Sequence, residues 1–264
     1  MKAISNILVA VPASVRYQSV VQYAIGLAHD LRAKLTIALT YRRVPVTAGE
    51  DDPETAHQKE YVSASFQQLR KQLFHDAHVS YQLITLDGPL GEAIQAACPT
   101  YHPDLVVTAA DEQLPLHDLV QQVLSPLLLV PLTANYCAIK RVGLAYAASP
   151  LSRTEPIELI DQLAKSYGAT VEVVAFGTAK KLASHATNRA NVALESLLEN
   201  VTHRFHFTLG EGTADDMKHY VDHYHPQVLV ILARRQLPYD VSPLERHTVT
   251  VAKVSPVPVL VLKS

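Results

Sequence analysis

The sequence contains no long apolar run, only two cysteines and almost no net charge. Its apolar runs have strand length, well below the roughly 18 residues that indicate a transmembrane helix. Cys98 and Cys137 form neither a disulfide framework nor a metal-binding spacing. The formal net charge of −2 gives no electrostatic reason to expect binding to nucleic acid or to an anionic membrane. The apolar part of the N-terminus, MKAISNILVAVP, is too short for a signal peptide, so we expect a cytoplasmic protein.

The length of 264 residues fits two domains of about 130 residues each. Hydrophobic residues make up 48% of the chain and charged residues 18%, which is typical of a folded globular protein. The charge is unevenly distributed. Residues 1–135 carry 9 basic and 13 acidic side chains, whereas residues 136–264 carry 14 and 12. The first half is therefore acidic and the second half slightly basic.

An internal repeat supports this division. The segment YHPDLVVTAADEQLP at 101–115 recurs as YHPQVLVILARRQLP at 224–238, and RVGLAYAAS at 141–149 matches NILVAVPAS at 6–14. Such self-similarity indicates two copies of one structural unit. We therefore predict a first domain at residues 1–132, a linker at 133–138 and a second domain at 139–264.

Both halves alternate between short apolar runs of strand length and amphipathic segments of helical period. This order predicts an α/β fold of two tandem doubly wound, Rossmann-like domains, each with a five-stranded parallel sheet, packed as a pseudo-dimer. Several local signals refine the helices. Ser14 is a candidate N-cap for the first helix, one helix is predicted to end near Cys98-Pro99, and another to span about 188–199. Thr213 and Asp216 have the spacing of a capping box.

The order and spacing of these segments resemble the universal stress protein family. The resemblance is carried by the opening strand ILVAV, by the strand AKLTIALTY, and by the endings Pro126–Leu129 and Pro258–Val261. It covers nearly the whole chain as a tandem of two such domains. It implies halves that pack like a dimer, a role in the stress response, and a homodimer as a further assembly.

The nucleotide-binding branch of that family has a Gly-x-x-Gly loop after strand four, then nine residues and Gly-Ser/Thr. Glycines let backbone N–H groups approach phosphates. The positions of this signature are all replaced in both halves. They hold Ala109 and Glu112 in the first half, Leu232, Arg235 and Glu245-Arg246 in the second, and Pro12 and Ala147 at the family's adenine-facing Asp. The resemblance therefore implies that the ATP loop is degenerate.

The loop after strand four differs in charge between the halves. Asp111 and Glu112 in the first half would repel phosphate, so these residues, with Pro12 and Ser14, are predicted not to bind ligand. In the second half, cationic side chains converge on the equivalent crevice, and the candidate ligand-binding set is Ala147, Ser149, Arg234, Arg235, Arg246 and His247. Two other interpretations stay open: a solvated basic loop, or salt bridges to Asp111 and Glu112.

Other candidate sites are weaker. His219 and His223 lie four residues apart on a predicted helix and could contribute to a zinc site, but no third ligand is evident, so no metal is predicted. Neither Ser14 nor Ser149 lies in a G-x-S-x-G elbow, and helix capping explains both. We therefore expect no catalytic residues.

These observations predict a non-enzymatic universal stress protein without a cofactor, acting through an unknown protein partner or small ligand. The alternative is a sensor of ATP or another anionic ligand bound in the second domain only. Weak ATP hydrolysis is a third hypothesis, for which the sequence offers no base, nucleophile or metal set.

Overall fold

Each half of the sequence forms an α/β unit built on a parallel sheet. A computed structural model describes residues 4–41, 53–72, 79–147, 155–233 and 243–263. The chain divides into a first unit, Ile4–Tyr136, and a second unit that contains Cys137–Ser264. The predicted fold class is confirmed for both units. Their pseudo-dimeric packing stays a prediction.

The first unit alternates strands and helices. In chain order it contains β1 (Asn6–Pro12), a 3-10 turn (Val15–Tyr17), α1 (Gln18–Leu31), β2 (Lys34–Tyr41), α2 (Pro53–Gln72), β3 (Tyr81–Asp87), α3 (Leu90–Tyr101), β4 (Leu105–Ala109), α4 (Leu116–Gln122) and β5 (Leu127–Val130). The strand order is β3-β2-β1-β4-β5, and each neighbouring pair is parallel.

The second unit repeats this arrangement. It contains β6 (Arg141–Ala147), α5 (Glu155–Tyr167), β7 (Thr170–Gly177), α6 (Ala179–Leu182), α7 (His185–Leu197), β8 (His203–Leu209), α8 (Ala214–Tyr224), β9 (Val228–Ala233), α9 (Pro243–Val254) and β10 (Val259–Lys263). The strand order β10-β9-β6-β7-β8 is the same topology, again with parallel neighbours.

The central strands are apolar because helices cover both faces of each sheet. Leu8, Val9 and Ala10 of β1 are fully buried, as are Val106 and Val107 of β4. Strands buried on both faces have continuous apolar sequences instead of alternating ones, and this accounts for the run NILVAV. No helix in the described ranges is both long and apolar enough to cross a membrane.

The strand order places the candidate site. From β1 the chain moves outward to β2 and β3, then returns to the other side of β1 as β4. The order reverses between β1 and β4, so the loops leaving their carboxyl ends diverge and leave a crevice between them. Open α/β sheets bind ligands at this switch point. β6 and β9 hold the equivalent position in the second unit.

Three local predictions were wrong. Ser14 does not cap α1, whose N-cap is Tyr17. Its hydroxyl accepts a hydrogen bond from the Arg16 N–H at 3.3 Å, and its carbonyl accepts the Tyr17 N–H at 3.1 Å, which closes the 3-10 turn. Helix α3 continues past Pro99 to Tyr101, because a proline in the last turn removes only one hydrogen bond. α7 begins at His185, capped by Ser184, three residues before the predicted start.

The capping box of α8 is confirmed. The Thr213 hydroxyl accepts a hydrogen bond from the Asp216 N–H at 3.3 Å, and the Asp216 carboxylate accepts one from the Thr213 N–H at 2.9 Å. The box satisfies two groups near the helix start that would otherwise lack partners.

Candidate functional site

The crevice of the first unit lies between the loop that leaves β1 and the loop that leaves β4. The first loop runs from Pro12 into the 3-10 turn, held by a hydrogen bond from the Ala13 N–H to the Thr40 carbonyl at 3.1 Å. The second follows Ala109 and is fixed to β5 by a hydrogen bond from the Ala110 N–H to the Val130 carbonyl at 2.8 Å. Both loops are therefore anchored to neighbouring strands.

An ion pair joins the two loops across the crevice. Arg16 donates two parallel hydrogen bonds to the Asp111 carboxylate, from Nε to Oδ2 at 2.7 Å and from Nη2 to Oδ1 at 3.0 Å. The Asp111 side chain is only 2% exposed, whereas the Arg16 side chain is 46% exposed. This fork-to-fork geometry is the one by which arginine binds carboxylates and phosphates.

Two further donors complete the surroundings of Asp111. The buried Tyr17 hydroxyl donates to Oδ2 at 3.1 Å, and the Gln113 N–H donates to Oδ1 at 3.1 Å. Burial acts to raise the pKa of Asp111, but the hydrogen bonds from Arg16, Gln113 and Tyr17 outweigh it and hold this pKa below its ordinary value. Burial, together with the hydrogen bond to Asp111, raises the pKa of Tyr17 to about 12. Asp111 is therefore a carboxylate held by four hydrogen bonds.

Asp111 thus occupies donors of this crevice. Among the described residues, Arg16, Tyr17 and the Gln113 N–H, which could hold an external anion, donate to its carboxylate instead. Pro12 lies at the end of β1 and is half-buried, Ser14 closes the 3-10 turn, and Glu112 is exposed beside Asp111. The prediction that these four residues do not bind ligand stays a prediction.

The sequence identified Asp111 but not its partners. Arg16 and Tyr17 lie 95 and 94 residues away along the chain, and only the parallel pairing of β1 with β4 brings them together. One sequence signal points to this contact: a basic residue, Arg16, soon follows β1, and an acidic residue, Asp111, soon follows β4. Because the predicted fold places these two strands side by side, the opposite charges predict an ion pair at the switch point.

A small cavity lies beside this crevice. It has a volume of about 20 Å³ and is lined by side chains of β1, the 3-10 turn, α1, β2 and α2, among them Val11, Tyr17, Leu39 and Leu69. Such a space holds one water molecule, whereas pockets for organic ligands typically measure about 300–1,000 Å³. This cavity does not accommodate a nucleotide base.

The candidate residues of the second unit are described only in part. Ala147 ends β6, opposite Phe176 of β7, and His247 lies half-buried in α9. Ser149, Arg234 and Arg235 lie outside the described residues, as does the side chain of Arg246. The predicted ligand set of the second unit stays a prediction.

The histidine pair lies on the surface. His219 and His223 are both exposed on α8, and His223 makes an edge contact with the Tyr224 ring at 4.6 Å. In the part of the chain that the structure describes, no group of three or more His, Cys, Asp or Glu side chains could hold a metal ion.

The fold and the position of the crevice define the class of protein: doubly wound α/β domains with a crevice at the switch point of a parallel sheet. The model of the universal stress protein family matches residues 3–125, most of the first unit. The first unit is therefore similar to the universal stress protein family, and the second unit repeats its strand order. No curated protein sequence matches the chain.

Solved structures share the fold along nearly the whole chain. A universal stress protein from Archaeoglobus fulgidus DSM 4304 is 12% identical, with a TM-score of 0.70, and the match covers 98% of this chain and 96% of that one. A functionally unknown protein from Pseudomonas aeruginosa PAO1 is 15% identical, with a TM-score of 0.64 and coverage of 99% and 93%. The cytoplasmic domain of a prokaryotic cation chloride cotransporter is 9% identical, with a TM-score of 0.54 and coverage of 97% and 94%. These similarities show the fold.

Proposed function

We propose that the chain is a non-enzymatic stress-response protein of tandem type, with a degenerate nucleotide-binding loop in both halves, that acts by binding a protein partner or a small ligand without a nucleotide cofactor. The observation that supports this best is the Arg16–Asp111 ion pair. A phosphate that used the same donors, Arg16, Tyr17 and the Gln113 N–H, would have to displace the buried Asp111 carboxylate.

The replaced glycine positions agree with this proposal. Ala109 is buried at the end of β4, and the next residues form an Asp-centred turn in which the Leu114 N–H donates to the Asp111 carbonyl at 3.0 Å. This turn directs the Gln113 N–H at the Asp111 side chain. A Gly-rich loop would direct its N–H groups at phosphates instead.

A second candidate function is favoured by a difference between the repeats. Arg234 stands where the first copy has Asp111, and Leu151 stands where it has Arg16. The second unit cannot form the same ion pair from these positions, and its charge at this point is reversed. This exchange supports an anionic ligand, such as ATP, bound by the second unit only.

Calorimetric titration with ATP, ADP and AMP, with and without magnesium, separates the two functions. The first proposal expects no heat of binding at millimolar nucleotide. Saturable binding that disappears in an Arg234→Ala/Arg235→Ala variant would establish the second. An Arg189→Ala/Lys218→Ala variant, which removes two exposed cations from α7 and α8, controls for the loss of positive charge.

Two further outcomes bear on the proposal. Nucleotide binding that persists in the double variant and is lost in Arg16→Ala would place the ligand in the first unit and overturn both candidates. Release of inorganic phosphate from ATP by the purified protein would overturn the non-enzymatic assignment. The cytoplasmic location stays a prediction.

A further inference from the structure

The strand β8 presents an apolar edge. Within the residues that the structure describes, β8 pairs only with β7, so its other side carries backbone groups without a neighbouring strand. Phe207 is 54% exposed and Leu209 is 69% exposed. Edge strands are usually protected by charged side chains, proline or a bulge. The strand β8, HRFHFTL, contains no proline, and its one arginine, Arg204, lies 3.7 Å from the Glu172 carboxylate of its own unit.

The two faces of β8 differ. Arg204, His206 and Thr208 share one face, where His206 Nε2 lies 2.7 Å from the Glu172 carboxylate of β7 and its ring lies 4.1 Å from the Tyr224 ring of α8. The opposite face holds His203, Phe205, Phe207 and Leu209, all half-buried or exposed. One face is thus tied to its own unit, and the other forms an open apolar stripe.

We propose that β8 pairs with β8 of a second copy of this chain, antiparallel about a twofold axis at His206. The strand sequence is suited to this arrangement. About that axis, Phe205 faces Phe207 of the second copy, and Arg204 faces Thr208. His203 faces Leu209. A twofold interface uses one patch twice and must be complementary to itself, and β8 satisfies this condition.

The pairing places aromatic side chains together and opposes no two arginines or carboxylates. Cross-strand aromatic pairs stabilise antiparallel strands, and like charges directly opposite destabilise them. Arg204 is the only arginine in the strand and lies two residues from the axis, so the two copies of it are separated. At the axis, each His206 keeps its own Glu172 carboxylate as a partner. The charge pattern therefore favours a second copy of the same strand.

Sedimentation velocity at increasing protein concentration tests the proposal on the full chain. We expect the wild type to form a dimer and Phe207→Lys to sediment as one chain, because lysine places two like charges beside the axis and removes the aromatic pair. Val192→Lys is the matched control. Val192 is also highly exposed, at 65%, but lies on α7 instead of the edge strand, so this variant is expected to remain a dimer.

Disulfide crosslinking tests the register, in a Cys137→Ser background that removes the exposed native thiol. His206→Cys should crosslink to itself on oxidation, because residues opposite on antiparallel strands have Cα atoms about 4.5–5.5 Å apart, within disulfide reach. Leu209→Cys should not crosslink, since its two copies would lie about 20 Å apart. A monomeric wild type, an unaffected Phe207→Lys dimer, or equal crosslinking of both cysteine variants would each overturn the proposal.

Discussion

At the scale of single residues, Asp111 occupies a space that suits an external anion. Asp111→Ala removes the carboxylate. The Arg16 guanidinium, the Tyr17 hydroxyl and the Gln113 N–H remain directed at the space that it leaves. We expect this variant to bind inorganic phosphate with roughly millimolar affinity, because arginine donates paired hydrogen bonds to oxyanions. Isothermal titration calorimetry measures the binding, and the wild type should show none.

Two variants control this experiment. Asp111→Ala combined with Arg16→Ala should lose the phosphate binding, since the principal donor is gone. Glu112→Ala removes an adjacent, exposed carboxylate of the same charge and should bind no phosphate. If Glu112→Ala binds phosphate as well as Asp111→Ala does, the phosphate binding results from the reduced negative charge and not from the convergent donors.

The same carboxylate predicts how stability depends on pH. The pKa of Asp111 is lower in the folded chain than its ordinary value. Its contribution to stability is therefore complete above the ordinary carboxyl pKa, near 3.9, and is lost as the pH falls through the lower folded value. We expect wild type to be more stable than Asp111→Asn at neutral pH, with the difference shrinking below about pH 4. Urea unfolding at several pH values measures it, and a difference that stays constant contradicts the ion pair.

The two residues of the ion pair, Asp111 and Arg16, differ in how readily the sequence reveals them. Asp111 could be singled out because it lies in the loop after an apolar strand, between the replaced glycine positions at Ala109 and Glu112. Arg16 was not singled out, because its partner lies on another loop and the two become neighbours only when the predicted strand order is combined with the charges that follow β1 and β4. A contact between distant segments depends on the strand order and on the direction of each side chain. The sequence predicted the strand order but not that Arg16 points towards Asp111.

At the scale of elements, α1 has a glycine that makes room for the end of the first unit. The Tyr136 ring lies against Gly26, where a Cβ atom would overlap it. The ring makes an edge-to-face contact with Tyr23 at 5.3 Å, and its hydroxyl donates to Asp30. Gly26→Ala should therefore displace Tyr136 and lower the free energy of unfolding by about 1–3 kcal/mol, although alanine favours helix. Thermal or urea unfolding measures the change.

Gly91 of α3 provides the matched comparison. It is also a helical glycine, but an added Cβ would mainly meet the flexible end of Gln122. Gly91→Ala should be neutral or stabilise the chain by up to about 1 kcal/mol, the usual preference of a helix for alanine. Equal effects of the two substitutions would contradict a specific role of Gly26 in holding Tyr136.

Elements whose signals are local were predicted well. The box at Thr213 and Asp216 was found because its donors and acceptors lie three residues apart. The short helix α6, Ala179–Leu182, was missed because four residues give no readable periodicity. The predicted end of α3 near Cys98-Pro99 lies too early, because the helix runs to Tyr101 and stops where its C-cap, His102, takes a left-handed conformation.

At the scale of the whole molecule, the repeat predicted two units of one topology because each copy contains the same order of strands and helices. The repeat does not fix where the first unit ends. The sequence placed this boundary at residue 132, yet Tyr136 packs on α1, and the preceding Ala134 is buried. If residues 133–136 contribute to the stability of the first domain, they belong to it and not to a linker.

Two fragments answer this question, one of residues 1–136 and one of residues 1–132. We expect the longer fragment to be more stable by about 1–3 kcal/mol, because it keeps the aromatic pair with Tyr23 and the hydrogen bond to Asp30. Urea unfolding of both fragments measures the difference. Fragment 1–136 with Tyr136→Ala should behave like the shorter one, since the substitution removes both contacts. Equal stability of all three would place the boundary at 132 and make residues 133–136 a true linker, whereas the expected order makes Tyr136 the last structural residue of the first domain.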